Sequence, residues 1–275
     1  TIAIIGGNGG MGQMLARMFR DFGHNILIAD LNTEKSNCDV ARVADVVIIA
    51  VPIACTSKVI EEVAPHCKKD ALLMDVTSTK TEPLASMMRY FKGSVIGTHP
   101  LFGPSVHSLQ GQRIVVVCGR DNGLWLPWLL NMLHARGLSI YETSAVEHDQ
   151  AMGIVQVLTH QTTEVLGRTL QKLDVDIQKT LEFTSPIYLM ELLMTARHFA
   201  QSPDLYASIQ MDNPETTRVL NALHDACEEL HDIVLQKDRD GFRTIFDEVH
   251  KHFGTFSEQA LEQSSFLIDR LVERG

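Results

Sequence analysis

The stretch IAIIGGNGGMGQMLARMF at the start of the chain constrains its fold more than any other segment. Four apolar residues, Ile2 to Ile5, run into a glycine-rich loop, and an amphipathic helical pattern follows without a break. Gly7, Gly9 and Gly12 stand at the spacing G-x-G-x-x-G. The first glycine makes the tight turn, the second lets a pyrophosphate approach the backbone, and the third lets the helix lie close on the sheet. The opening helix then presents unpaired N–H groups and a partial positive charge to the phosphates. Asn8, Gly10 and Met11 share that loop and are candidate cofactor contacts. Asp30 ends the next apolar run, where a carboxylate can bind the adenosine ribose hydroxyls. It would repel a 2′-phosphate, which favours NAD over NADP.

The first half alternates short apolar runs with helical patterns. TIAIIG, NILIAD, VVIIAVP, ALLMDV, GSVIGTHP, RIVVVCG and a last short LSIYET read as strands, with helices between most of them. This predicts an α/β Rossmann-type dinucleotide-binding domain over residues 1–143, built on a parallel sheet covered on both faces. Between Asp30 and Val46 there is room only for a trimmed connection. From Ser144 onward the strand signal disappears, so residues 144–275 form an all-α helical domain for substrate binding and dimerisation. Ser144 and Glu147 predict a capping box, and Pro186 and Pro214 open further helices. One last helix is expected from Arg239 to beyond Leu267. Helices this apolar commonly pack against a second copy of themselves, so a homodimer is expected.

The formal net charge of −10 repels polyanions and excludes nucleic acid as an expected partner. A small anionic substrate would need a local clamp. No apolar run approaches the length of a membrane helix. The five cysteines are scattered, with no spacing that suits zinc, which points to a reducing, cytoplasmic compartment and no metal. The chain begins at Thr1 inside a strand, so an N-terminal segment is expected to precede it.

Open α/β sheets deliver functional residues at the carboxyl ends of their strands. GTHPLFGP puts His99 at such an end, with Pro100 biasing it toward extended geometry and Gly97 and Gly103 permitting close approach. An imidazole held there can accept a hydroxyl proton as hydride leaves the same carbon. DVTSTK brings Ser78, which could orient that ring, and Lys80, which could touch cofactor or substrate. Val51, Pro52 and Ile53 stand at a third strand end and could pack along the cofactor.

IIGGNGGMG, VPI, DVTSTK, GTHPLFGP, SAVEHDQAM and SPIYLMELLMTARHFAQSPDLYASI together resemble the prephenate dehydrogenase family over essentially the whole chain, in particular the dehydrogenase portion of bifunctional chorismate mutase/prephenate dehydrogenases. The resemblance implies NAD-dependent oxidative decarboxylation of prephenate to 4-hydroxyphenylpyruvate on the path to tyrosine. It implies His99 as the catalytic histidine, Ser78 as its orienting serine and Arg197 as the clamp on a substrate carboxylate. It also implies an N-terminal chorismate mutase domain ahead of Thr1, and tyrosine as an inhibitor. His148, Gln150 and His160, on one bridging helix, and Tyr206 are candidate substrate contacts. Some monofunctional relatives carry a lysine one turn before the arginine; here that position is Leu193. An arogenate dehydrogenase, a 3-hydroxyacid dehydrogenase and a non-catalytic NAD-binding regulator are the alternative readings.

Overall fold

A computed structural model describes residues 1–274. It divides into two compact units: Thr1–Gln156 with Asp204–Glu215, and Val157–Pro203 with Thr216 onward. The first unit thus runs past the expected boundary at residue 143 and takes in a later segment of the chain.

In the first unit, seven strands form one sheet: β1 (Ile2–Ile5), β2 (Ile26–Ala29), β3 (Val46–Ile49), β4 (Leu72–Asp75), β5 (Ser94–Pro100), β6 (Arg113–Arg120) and β7 (Ser139–Glu142). Their order is β2-β1-β3-β4-β5-β6-β7. Strand side chains alternate between the faces, and both faces are covered, so the central strands are apolar throughout. Ile2 and Ile4 pack with Leu15, Phe19, Leu129 and Leu133 from α1 (Gly10–Asp21) and, further along the chain, α5 (Trp125–Ala135). Ala3 and Ile5 face the opposite way, toward Val40, Ile60, Val63 and Met87 from α2 (Asn37–Val43), α3 (Ile53–Val63) and α4 (Thr81–Tyr90). The 7-residue α2 is the trimmed connection expected before Val46.

The sheet departs from an all-parallel plan at one pairing, after which β6 and β7 both run opposite to the first five strands. β1 to β5 pair in parallel, but β6 runs antiparallel to β5, with His99 opposite Val115. A parallel return needs a crossover, usually a helix. Residues 101–112, rich in glycine, proline and serine, form none.

The bridging segment begins as α6 (Ala145–Met152), passes through a π-helical turn at Gly153–Leu158 and continues as α7 (Thr159–Lys172). Only half of the expected capping box forms: the Ser144 side chain accepts from the Glu147 N–H, while the Glu147 carboxylate accepts from Thr143 Oγ1 and Tyr141 Oη. The second unit holds α7, α8 (Ile177–Leu181) and α9 (Pro186–Phe199), whereas α10 (Pro203–Met211) belongs mostly to the first. Three helices complete the second unit: α11 (Thr216–Gln236), α12 (Arg239–Phe253) and α13 (Phe256–Arg274). The single last helix expected from Arg239 is therefore two. It breaks at Gly254, whose φ of +55° takes the chain out of right-handed helix at the one residue type without a steric penalty there.

Candidate active site

The carboxyl ends of β1, β3, β4 and β5 lie along one edge of the sheet and carry most of the sequence-predicted residues. After β1, the glycine loop has the geometry a pyrophosphate requires. A Cβ on Gly12 would stand 2.4 Å from the Gly6 carbonyl oxygen, so α1 approaches the loop as only glycine allows. A Cβ on Gly9 would meet only that same oxygen, at 3.3 Å, leaving its backbone open to a ligand. No side chain caps the first turn of α1, where Gly10 and Met11 lie, so its N–H groups face the loop. Asp30 reaches the loop with one carboxylate oxygen, accepting the Asn8 N–H at 2.9 Å. The uncapped helix, the open glycine and the nearby carboxylate fit a dinucleotide. Val51 stands beside Gly6, Pro52 caps α3 and Ile53 begins it. Gly10 lies against Pro104, so the loop that follows His99 and β5 folds over the glycine loop.

His99 is 3 % exposed at the end of β5, and both ring nitrogens have partners. Nδ1 lies 2.9 Å from His148 Nε2, and Nε2 lies 3.3 Å from the Gln156 amide nitrogen. His148 Nδ1 in turn lies 2.7 Å from Asp149 Oδ1. The donor inventory fixes the protons. An ionised Asp149 only accepts, so His148 Nδ1 donates to it. With one proton on each ring, His148 accepts at Nε2, and His99 Nδ1 is the donor. The lone pair of His99 is left on Nε2, where the Gln156 amide donates to it.

Asp149 is anchored by the helix beside it. Its carboxylate accepts the Lys80 and Thr81 N–H groups, each at 2.8 Å, at the amino end of α4. Burial alone would raise its pKa, but the bonds from His148, Thr81 and Lys80 outweigh this and hold it below the usual carboxylate value. Burial pushes His99 well below an ordinary imidazole; any proton on His148 and the Lys80 ammonium add to this, and Asp149 opposes it. The result is a neutral, pre-oriented base.

Four residues differ from their expected places. His148, expected to touch substrate, is 2 % exposed behind His99 with both nitrogens bonded inside the protein. The bonds that orient His99 come from His148 and Gln156 rather than from Ser78, which is half-buried in the loop before α4. Lys80, expected at the cofactor, is fully buried, and its ammonium pairs with the equally buried Asp75. Gln150 is exposed on α6, and the glutamine that meets His99 is Gln156. Sequence spacing hid Gln156 because the π turn shifts the helix phase after His148.

In the second unit, His160 on α7 is half-buried, with its ring 5.3 Å from that of His198 on α9. Burial lowers its pKa, and His198 adds to the effect. Arg197, also on α9, is exposed, and its guanidinium meets no carboxylate among the described residues. Tyr206 is half-buried on α10, in the first unit.

A glycine-loop α/β unit with a buried neutral imidazole beside the loop marks the class of nucleotide-dependent dehydrogenases. Residues 17–142 match the prephenate dehydrogenase nucleotide-binding domain, and residues 144–248 match the prephenate dehydrogenase dimerization domain. The chain is 39% identical over 273 residues to a probable arogenate/prephenate dehydrogenase of Methanocaldococcus jannaschii, covering 93% of this chain and 61% of that protein. It is 38% identical over 269 residues to the T-protein of Haemophilus influenzae, covering 98% of this chain and 71% of that protein. A crystal structure of prephenate dehydrogenase from A. aeolicus in complex with hydroxyphenyl propionate and NAD+ has a TM-score of 0.71 at 17% identity, covering 90% of this chain and 95% of that one. The chain therefore belongs to the prephenate dehydrogenase family. Among the described residues, no helix is long and apolar enough to cross a membrane.

Proposed function

We propose that the protein catalyses NAD-dependent oxidative decarboxylation of prephenate to 4-hydroxyphenylpyruvate, a step toward tyrosine, in the cytoplasm. The observation that carries this reading is the neutral His99, with its Nε2 lone pair fixed by the His148 and Asp149 bonds. Bound at the glycine loop and Asp30, NAD supplies the hydride acceptor. His99 Nε2 takes the proton of the ring hydroxyl, exchanging the Gln156 amide for the substrate oxygen. Developing C=O character at that carbon lets the ring carboxylate leave as CO₂, and aromatisation drives the reaction. Arg197 clamps a substrate carboxylate by two parallel hydrogen bonds. His160 and Tyr206 border the bound substrate.

Phe246, Phe253 and Phe266 are more than half exposed on the helices of the second unit, which supports dimerisation through that unit. A chorismate mutase domain ahead of Thr1 and inhibition by tyrosine complete the proposal. The matched family also includes arogenate dehydrogenases by name, so the deciding experiment runs both substrates. NADH formation at 340 nm is followed with prephenate and with arogenate, on the wild type and on His99→Asn. Turnover of prephenate that falls ~10² or more in the variant, with NAD affinity kept, is the expected result. A wild type that turns over arogenate and ignores prephenate overturns the substrate assignment.

A further inference from the structure

The buried groups behind His99 do more than hold its ring. Four charged or titratable side chains are packed there with almost no solvent access: Asp75, Lys80, His148 and Asp149. Asp75 and Lys80 pair with each other, which leaves the negative charge of Asp149 without a full countercharge. What faces Asp149 is the Nδ1–H of His148 and the amino end of α4. A positive charge on His99 touches no carboxylate. A positive charge on His148 sits 2.7 Å from one. In a low-dielectric interior that difference of contact decides where a proton comes to rest.

Resting on the reading above, we propose that His148 is the second base of a two-step proton relay. The substrate O–H bond breaks as an N–H bond forms at His99 Nε2; the His99 Nδ1–H bond breaks as one forms at His148 Nε2. No electrons leave the two rings, and the hydride carries the pair from the C–H bond to the oxidised nicotinamide. His99 ends neutral in its other tautomer, and the charge stands on His148 against Asp149. Asp149 does not take the proton itself, because backbone N–H groups hold it ionised. It is a positioning residue, and it also keeps His148 in the one tautomer that can accept. The ring centroids of the two histidines are 5.1 Å apart at 68°, an edge-on arrangement compatible with a linear N–H···N bond.

The relay is tested first in the free protein. Nitrogen-15 NMR of the histidine rings is expected to show a coupling across the hydrogen bond between His99 Nδ1 and His148 Nε2; its absence at neutral pH overturns the relay whatever the substrate proves to be. In turnover, His148→Asn is expected to lower kcat roughly 10- to 100-fold and to leave KM within about twofold. A proton inventory in mixed H₂O/D₂O is expected to be curved for the wild type and linear for the variant. A folded His148→Asn with wild-type kcat, or with the same curved inventory, overturns the proposal.

Asp149→Asn supplies the second variant. The groups facing His99 are His148 and Asp149 on α6, Lys80 and Asp75 beside α4, and Gln156 in the π turn. Removing the Asp149 charge makes imidazolium harder to form. The acid limb of the kcat/KM profile is therefore expected to move to lower pH with a lower plateau. A lowered plateau with an unmoved limb marks a merely structural residue and overturns the relay. A wild type that turns over neither prephenate nor arogenate strikes the functional reading instead, and the NMR result stands apart from it.

Discussion

Gly12→Ala isolates what the glycine loop does. The added Cβ would lie 2.4 Å from Gly6 O, 2.7 Å from Gly7 Cα and 3.0 Å from Gly7 C. All three are backbone atoms of the turn itself, so none can swing aside. Reaching ordinary contact at ~3.5 Å moves α1 back by about 1 Å. Overpacking of this kind costs about 1–3 kcal/mol, and the better helix propensity of alanine returns at most ~1 kcal/mol. The fold should therefore survive with a small net loss.

Nucleotide binding should suffer more, because a 1 Å retreat of the helix end stretches every hydrogen bond from its N–H groups to the phosphates. Losing one charge-assisted bond, at ~1.5–3 kcal/mol, weakens binding by about 10- to 100-fold. Calorimetric titration with NAD measures the affinity, and urea denaturation of the same sample measures the fold. An alanine variant that binds NAD within about threefold of wild type would show that helix approach is not what the third glycine secures.

Asp75→Asn leaves the buried Lys80 ammonium without a countercharge and should cost about 3–5 kcal/mol in urea denaturation; a loss below ~1 kcal/mol would mean that the pair is not buried as described. Arg197→Gln should raise KM for prephenate about 10- to 100-fold, the worth of a charged hydrogen bond, while NAD affinity stays unchanged; an unchanged KM removes it from substrate binding. His99 binds its proton more weakly folded than unfolded. The unfolded state thus takes up more protons as pH falls below ~6.5, and stability should drop there until pH passes below the depressed folded value. Urea midpoints of wild type and His99→Asn between pH 7 and pH 5 should diverge less at low pH than at neutrality if this holds. A parallel pH dependence in both would refute it.

The central strands could be read from the sequence because burial on both faces turns each into an unbroken apolar run. The direction of β6 could not, since direction depends on the connection, and a loop of glycines and prolines states only that no helix is there. Gly254 was in plain view, but a single glycine inside a helical pattern usually costs little and passes unread. His99 stood out through its constrained loop. The His148–Asp149 pair did not, because a polar Glu-His-Asp-Gln run near a helix start looks like a solvated face. Depth is a property of what packs against a helix, and here that is the start of α4, more than sixty residues earlier in the chain. Lys80 was misplaced for the same reason: its partner Asp75 lies only five residues away, but nothing in that spacing reveals a buried pair.

The π turn at Gly153–Leu158 has a consequence for the history of the chain. Each residue of an α-helix advances the side chain by about 100°, and a π turn accommodates an extra residue without breaking the rod. Deleting one residue from that turn would restore regular winding, because the wide turn has absorbed the extra residue. The side chains within the turn would shift, and Gln156 would lose its register with His99. Insertions and deletions are tolerated in loops and are rare within helices. A one-residue gap between this chain and a relative, falling inside that turn, would therefore record the gain or loss of the winding that brings Gln156 to His99.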